Sequence, residues 1–378
     1  MEFRDLKKQY QVLKPEMDRA ICEVLTNTAF IGGKAVADLE TELAEYVGVR
    51  HCITCGNGTD ALTLALMAWG IGEGDAVFVP DFTFFSSAET VAYEGATPVF
   101  TDILEDTFNM DPDSLERAVQ AVLAEGKLTP KVVVTVDLFG LPADYEKIRR
   151  IADHYGMYIL EDAAQGFGGS VHGRRAGSFG DISTTSFFPA KPLGCYGDGG
   201  AVFTNDDGWA ELIRSLRIHG KGTDKYDNVR IGMNSRLDTL QAAVLRVKLQ
   251  AFREYERRDT DAIAARYAKG LRDCVKTPKI PKGYDSGWAQ YSILLKDEEE
   301  RGTVQAYLKD HGVPTNIYYP RGMHQQSAFA GCRLYGETFP VTTDVCSRVL
   351  ALPLSPYLTE EDQEMVIRLI REKTGADV

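Results

Sequence analysis

Between about residues 50 and 205, short apolar runs alternate with stretches of helical periodicity, and few folds accommodate that rhythm. His51–Cys55, Asp75–Pro80, 131–137, 157–161, 182–188 and Gly200–Thr204 read as strands, while 60–69, 114–123 and 145–154 carry helical spacing. Strands that are apolar almost throughout must be covered on both faces. The alternation therefore predicts an α/β fold, with a mostly parallel sheet under helices on either side. The stretch 237–267, dominated by Ala, Leu, Arg and Glu, reads as one long helix. Beyond it a strand at 291–295 and helices at 303–311 and Glu360–Thr374 suggest a smaller α+β unit. The expected division is residues 1–245 as the large α/β domain and 246–378 as the small C-terminal one.

Charge narrows the function. The net charge of -13 argues against general binding of nucleic acid or anionic membranes. No apolar run is long enough to span a bilayer, and residues 1–8 lack the apolar core of a signal peptide, so a cytoplasmic location is expected. Seven scattered Cys do not form a disulfide framework. Cys52 and Cys55 have CxxC spacing without a second pair, which reads as buried strand thiols, and no metal is expected. Residues 214–236 break the acidic trend with Arg214, Arg217, Lys221, Lys225, Arg230 and Arg236 against Asp224 and Asp227. One or two of these cations suffice for a local phosphate or carboxylate site, the rest being surface charge.

Lys191 stands between the 182–188 run and a turn rich in glycine, Gly194, Gly197, Gly199 and Gly200. Burial there lowers an amine pKa, and a partly neutral amine can form a Schiff base with an aldehyde. Gly56-Asn57-Gly58-Thr59 separates a strand from a helix, where converging N–H groups and the helix dipole favour an anion; the alternative is a plain N-cap by Thr59 or Asp60. It is neither a Walker A loop nor GxGxxG. Aromatic residues of the run 81–87 follow directly on a strand end, where α/β folds place ligands, so Phe84 or Phe85 could stack on a flat ring while the other packs. Asp162, at the end of the 157–161 strand, could cap a helix or hold a proton on a pyridine nitrogen. Gln165 and Ser186 could reach a ring hydroxyl and a phosphate.

The blocks Gly56-Asn57-Gly58-Thr59-Asp60-Ala61-Leu62 and Glu161-Asp162-Ala163-Ala164-Gln165 carry a resemblance, as do residues 186–200 and 232–238. Together they resemble the DegT/StrS-type nucleotide-sugar aminotransferases, fold-type I enzymes that use pyridoxal 5′-phosphate (PLP). That resemblance implies a large domain with a seven-stranded-type, mostly parallel sheet flanked by helices, and a smaller C-terminal α+β domain. It implies Lys191 as the Schiff-base residue, Asp162 on the pyridine nitrogen, Gln165 on the ring oxygen and Phe84 stacked on the ring. Gly58, Thr59 and Ser186 would hold the phosphate, and Asn234 would reach the phosphate of the other subunit, making a homodimer with shared sites. Within the family the chain is most similar to enzymes that aminate C3 of UDP-2-acetamido-2-deoxy-3-oxo-glucuronate for surface polysaccharide synthesis. Arg236 is then the candidate for the sugar carboxylate, and Tyr318, Tyr319 and His324 match a sugar-contacting loop. Glutamate would give the amino group in a two-step, ping-pong transfer, with the freed Lys191 amine moving protons. Two alternatives stay open: a C4 aminotransferase of a dTDP- or UDP-4-keto-6-deoxyhexose, and a non-enzymatic PLP-binding regulator. A PLP-dependent sugar dehydratase of the same family is disfavoured, because the resemblance implies His in place of the lysine there.

Overall fold

The computed structural model describes residues 1–224, 226–336 and 338–375. Among the described residues a seven-stranded sheet forms the centre: β1 His51–Cys55, β2 Asp75–Pro80, β3 Thr97–Thr101, β4 Thr129–Val136, β5 Tyr158–Asp162, β6 Ile182–Ser186 and β7 Gly200–Thr204. Their spatial order is β1-β7-β6-β5-β4-β2-β3. β7 runs antiparallel to β1 and β6, and the other neighbours pair in parallel. The carboxyl ends of β1, β2, β4, β5 and β6 therefore share one edge with the start of β7.

The pleat sends alternate residues to opposite faces, which explains why the strands are apolar throughout. Val77, Val79, Val132, Val134 and Leu160 meet the helices Gly58–Trp69, Ser86–Tyr93 and Asp207–Leu216. Phe78, Val133 and Ile159 meet Pro112–Glu125 and Tyr145–Tyr155 on the other side. Leu6–Asn27, Lys34–Val47 and Thr239–Ala251 cover Cys52, Ala201 and Phe203 at the β1/β7 end. Cys52 and Cys55 are buried and unpaired, and burial pushes the Cys55 thiol up to about 12.

The long helix is present but not uniform. Thr239–Ala251 continues through a π turn at Phe252–Glu256 into Arg257–Leu271. Beyond it Tyr291–Leu294 pairs antiparallel with Val349–Leu352, and Glu298–Asp310 and Glu360–Thr374 pack with Arg257–Leu271 around Tyr267, Tyr291, Ile293, Leu350 and Leu369. The helix expected at 303–311 starts five residues earlier, because the Asp297 side chain accepts from Glu300 N (2.9 Å) and three glutamates fill the first turn. The chain start also belongs here, with Leu354 N donating to Phe3 O (3.0 Å).

Candidate active site

After β1 the chain turns at Gly56. The Asn57 side chain accepts from Asp60 N (2.8 Å), so Asn57, rather than Thr59 or Asp60, caps the helix Gly58–Trp69. The Thr59 hydroxyl instead hydrogen-bonds with Ser86 Oγ at 3.0 Å. A Cβ on Gly58 would sit 2.7 Å from Ser186 Cβ, so only glycine lets the β1 and β6 ends close together here. Three hydroxyls (Thr59, Ser86 and Ser186) and a helix N-terminus thus converge on one point of the sheet edge, a donor-rich cradle for a dianion.

On β5 two neighbouring carboxylates face opposite ways. Glu161 points into the interior, where its oxygens accept from Gly177 N (2.5 Å), Phe179 N (2.6 Å), Gly180 N (3.1 Å) and Ser183 Oγ (2.7 Å). Asp162 points to the sheet edge and accepts from Ser87 Oγ (2.8 Å) and Ala164 N (3.1 Å). Burial raises the Asp162 pKa, against the pull of Ser87, Ala164 and the Lys191 charge. The half-buried Lys191 amine moves the other way: burial lowers it and Arg4 adds to that, while Asp162 opposes. The two groups thus feel one another across the site. Each is pushed toward its neutral form by burial and toward its charged form by its partner.

Aromatic side chains wall the edge. Phe84 is 53% exposed and lies 6.3 Å from Tyr319, whereas Phe85 packs on Phe329 at 5.2 Å. The two phenylalanines therefore divide into an open ring and a packed one. Gln165 Oε1 accepts from Phe139 N (2.8 Å) and its Nε2 donates to Tyr319 Oη (3.0 Å), fixing the amide orientation and tying the 317–324 loop to the end of β5. Burial pushes the Tyr319 phenol up. Tyr318 turns instead to Phe3 (6.2 Å). His324 Nδ1 lies 2.6 Å from Asp81 Oδ2 and its ring stacks on Phe339 (4.9 Å). The Asp81 hydrogen bond raises the imidazole, while burial raises Asp81 in spite of it.

The basic segment divides too. Arg214 and Arg217 both pair with Glu40, and Arg217 also reaches Thr54 O. Arg230 donates to Ser215 Oγ (2.5 Å). Lys225 lies outside the described residues. Asn234 and Arg236 are exposed on either side of Ser235, which accepts from Gly56 N (2.8 Å) and donates to Asp60 Oδ2 (2.6 Å). Arg236 lines an open cavity of about 850 Å³ with Lys221, His219 and Ile231. Residues 234–236 are thus braced on the 56–60 turn, with the two polar side chains facing outward.

Sequence reasoning passed over Ser86, Ser87 and Ser235. The first two stand in the run after β2, where the aromatics alone carry a signal in the sequence. Ser235 lay between two residues chosen by resemblance.

A family described as DegT/DnrJ/EryC1/StrS aminotransferases matches residues 11–371. The chain belongs to that family. A UDP-2-acetamido-2-deoxy-3-oxo-D-glucuronate aminotransferase of Pseudomonas aeruginosa is 44% identical over 361 residues, covering 95% of this chain and 96% of the relative. A pleiotropic regulatory protein of Geobacillus stearothermophilus is 41% identical, with 97% of each chain covered. The crystal structure of a DegT DnrJ EryC1 StrS aminotransferase from Brucella abortus superposes with a TM-score of 0.97 at 48% identity, covering 99% of this chain and 100% of that one. As a DegT/DnrJ/EryC1/StrS aminotransferase the protein is a PLP-dependent transaminase. Its edge fits that cofactor: a hydroxyl cradle opened by Gly58 suits the phosphate, the Asp162 carboxylate suits a ring nitrogen, Phe84 offers an open face and Lys191 an amine.

Proposed function

We propose that this aminotransferase moves the amino group of glutamate to C3 of UDP-2-acetamido-2-deoxy-3-oxo-glucuronate, for surface polysaccharide synthesis, as a homodimer with shared sites. The observation that carries the chemistry is the meeting of Lys191, Asp162 and the Thr59–Ser86–Ser186 cradle at one sheet edge. The sugar is supported by the Pseudomonas aeruginosa relative, which is named for that substrate.

PLP supplies an electron sink for the pair released when the donor's Cα–H bond breaks, and it carries the amino group between the two substrates. The chain's residues do the rest. Asp162 holds a proton on the ring nitrogen, so that the sink stays cationic. Ser87 and Ala164 N fix which way that carboxylate points. Lys191 Nζ, whose pKa burial lowers, takes the proton from the donor's Cα and delivers one to the sugar carbon that receives the amino group. Thr59, Ser86 and Ser186 anchor the phosphate so that the ring does not drift between the two half-reactions. Tyr319, held by Gln165, closes the aromatic wall beside Phe84.

The dimer is supported by what surrounds Asn234 and Arg236. Ile231 is 89% exposed, Ile31 54%, Val229 53% and Phe30 45%. Ile31 bridges to Asp238, so these apolar groups gather about the same outward stretch. In the proposed assembly Asn234 completes the partner's phosphate site, and Arg236 meets the uronate carboxylate with a bidentate pair.

Parallel assays of the 3-oxo-glucuronate and of dTDP- and UDP-linked 4-keto-6-deoxyhexoses, with glutamate as donor, test the reading. The expected result is faster amination of the uronate. Preference for a 4-keto sugar would sink the substrate assignment, and no change in the cofactor's absorbance on adding glutamate would sink the donor.

A further inference from the structure

Two cations that the site has not used reach the loop that carries Lys191. Arg4, just ahead of the helix Leu6–Asn27, donates from Nη2 to Pro192 O (3.2 Å). Lys248, on Thr239–Ala251 and only 2% exposed, donates from Nζ to Gly194 O and lies 5.0 Å from the Tyr196 ring centroid. The loop is otherwise closed on itself: Lys191 N donates to Phe188 O (2.8 Å) and Cys195 N to Phe187 O (2.8 Å). Gly194 has no room for a side chain, since a Cβ would come within 2.5 Å of Pro189 O. The turn is therefore tight, and its outward carbonyls at 192 and 194 need donors from elsewhere. An ammonium buried as deeply as Lys248 is expensive beside an apolar side chain of the same length, unless its charge and hydrogen bond are used.

Both cations feel one carboxylate. Glu256, 3% exposed, accepts from Gln9 Nε2 (2.8 Å) and Tyr357 Oη (2.6 Å), and its charge acts favourably on Arg4 and on Lys248. It is the last residue of the π turn Phe252–Glu256, a feature common at functional sites.

We propose that Arg4 and Lys248 are positioning residues for Lys191: they hold the Lys191–Gly194 loop from outside by the carbonyls of Pro192 and Gly194, with Glu256 as their shared counter-charge. The inference rests on Lys191 being the cofactor lysine. Arg4 acts in a second way, because its positive charge is one of the two fields on the Lys191 amine, Asp162 being the other. Burial also pulls Lys248 itself down to about 8, with Arg4 in the same direction and Glu256 and Cys195 against it. Arg4 faces Glu256 and Tyr357.

The test follows the apoenzyme rather than turnover. Apoenzyme is mixed with PLP across pH 6–10, and Schiff-base absorbance is recorded; the Lys191 nitrogen adds to the aldehyde carbon and one water leaves. Borohydride trapping and peptide mass spectrometry locate the modified lysine. Arg4→Gln should move the pH midpoint of the reaction up, with Arg4→Lys restoring it. Lys248→Met should slow the reaction roughly tenfold at every pH without moving the midpoint, since the charges acting on the Lys191 amine are those of Asp162 and Arg4. Wild-type rates and midpoints in both Arg4→Gln and Lys248→Met overturn the proposal. If Lys248→Met does not fold, Lys248→Gln takes its place, and the Arg4 pair decides independently. Trapping at a lysine other than 191 in the wild type refutes the cofactor assignment instead, so the two failures are told apart.

Discussion

The sheet edge and the outward stretch 218–236 are built on opposite principles. At the edge, the functional groups stand on a strand end or helix start or within a few residues of one, and neighbouring groups fix them: Asp162 is held by Ser87 and Ala164 N, Gly58 lies against Ser186, and Gln165 is pinned between Phe139 N and Tyr319. In the outward stretch Ser235 is held to the 56–60 turn and Arg230 to Ser215, while the side chains of Asn234 and Arg236 stand exposed, as does Ile231 at 89%. In the proposed function, chemistry common to every substrate is placed on rigid backbone. The groups proposed to choose among substrates stand on an exposed surface.

The strongest way to break this contrast is at the rigid end. Lys191→Ala should abolish multiple turnover, measured as amino sugar formed per enzyme; persistent turnover would mean that the amine is not the proton carrier. A smaller effect is expected on the outward stretch. Arg236→Ala should lower kcat/KM for the 3-oxo-glucuronate roughly ten- to a hundred-fold, the worth of a charged hydrogen bond, and leave neutral keto sugars unchanged. Equal loss on both classes would remove Arg236 from carboxylate recognition and make the stretch structural. The smallest effect is expected at His324, which joins the small unit to β2 through Asp81. Its imidazole is raised by that partner, so the protonated pair stabilises fully below the ordinary histidine value, about 6.5, and is lost as pH rises through the higher folded value. His324→Gln should lower Tm by roughly 2–5 °C at pH 6, and the gap to wild type should narrow toward pH 9. A gap that widens with pH would show that the Asp81 contact is not the stabilising one.

These differences follow how far each region could be read in the sequence. The strands 51–55, 75–80 and 200–204 were legible to the residue, because apolar runs buried on both faces leave little ambiguity. Thr97–Thr101 was not, being a short edge strand with Pro98 inside it. Asp162 and Lys191 could be singled out because a carboxylate at a strand end and a lysine before a glycine turn are unusual company for apolar runs. Ser87, which orients Asp162, could not: a serine carries no mark of its partner 75 residues away. The basic stretch misled in part, since sequence shows charges but not that Glu40 already holds Arg214 and Arg217. Contacts between distant segments, rather than local periodicity, make up most of what was missed.

The π turn at Phe252–Glu256 also sets a phase. Each residue advances an α-helix by about 100°, so one wide turn rotates everything after it relative to the stripe before it. Thr239–Ala251 presents Ala242, Leu245 and Leu249 to the large core, and Arg257–Leu271 presents Ile263, Tyr267 and Leu271 to the small one. A single-residue deletion in the turn would leave both stripes intact as sequences. It would swing the second by about 100°, aiming the small unit, with Tyr319 and His324, away from the edge it now closes.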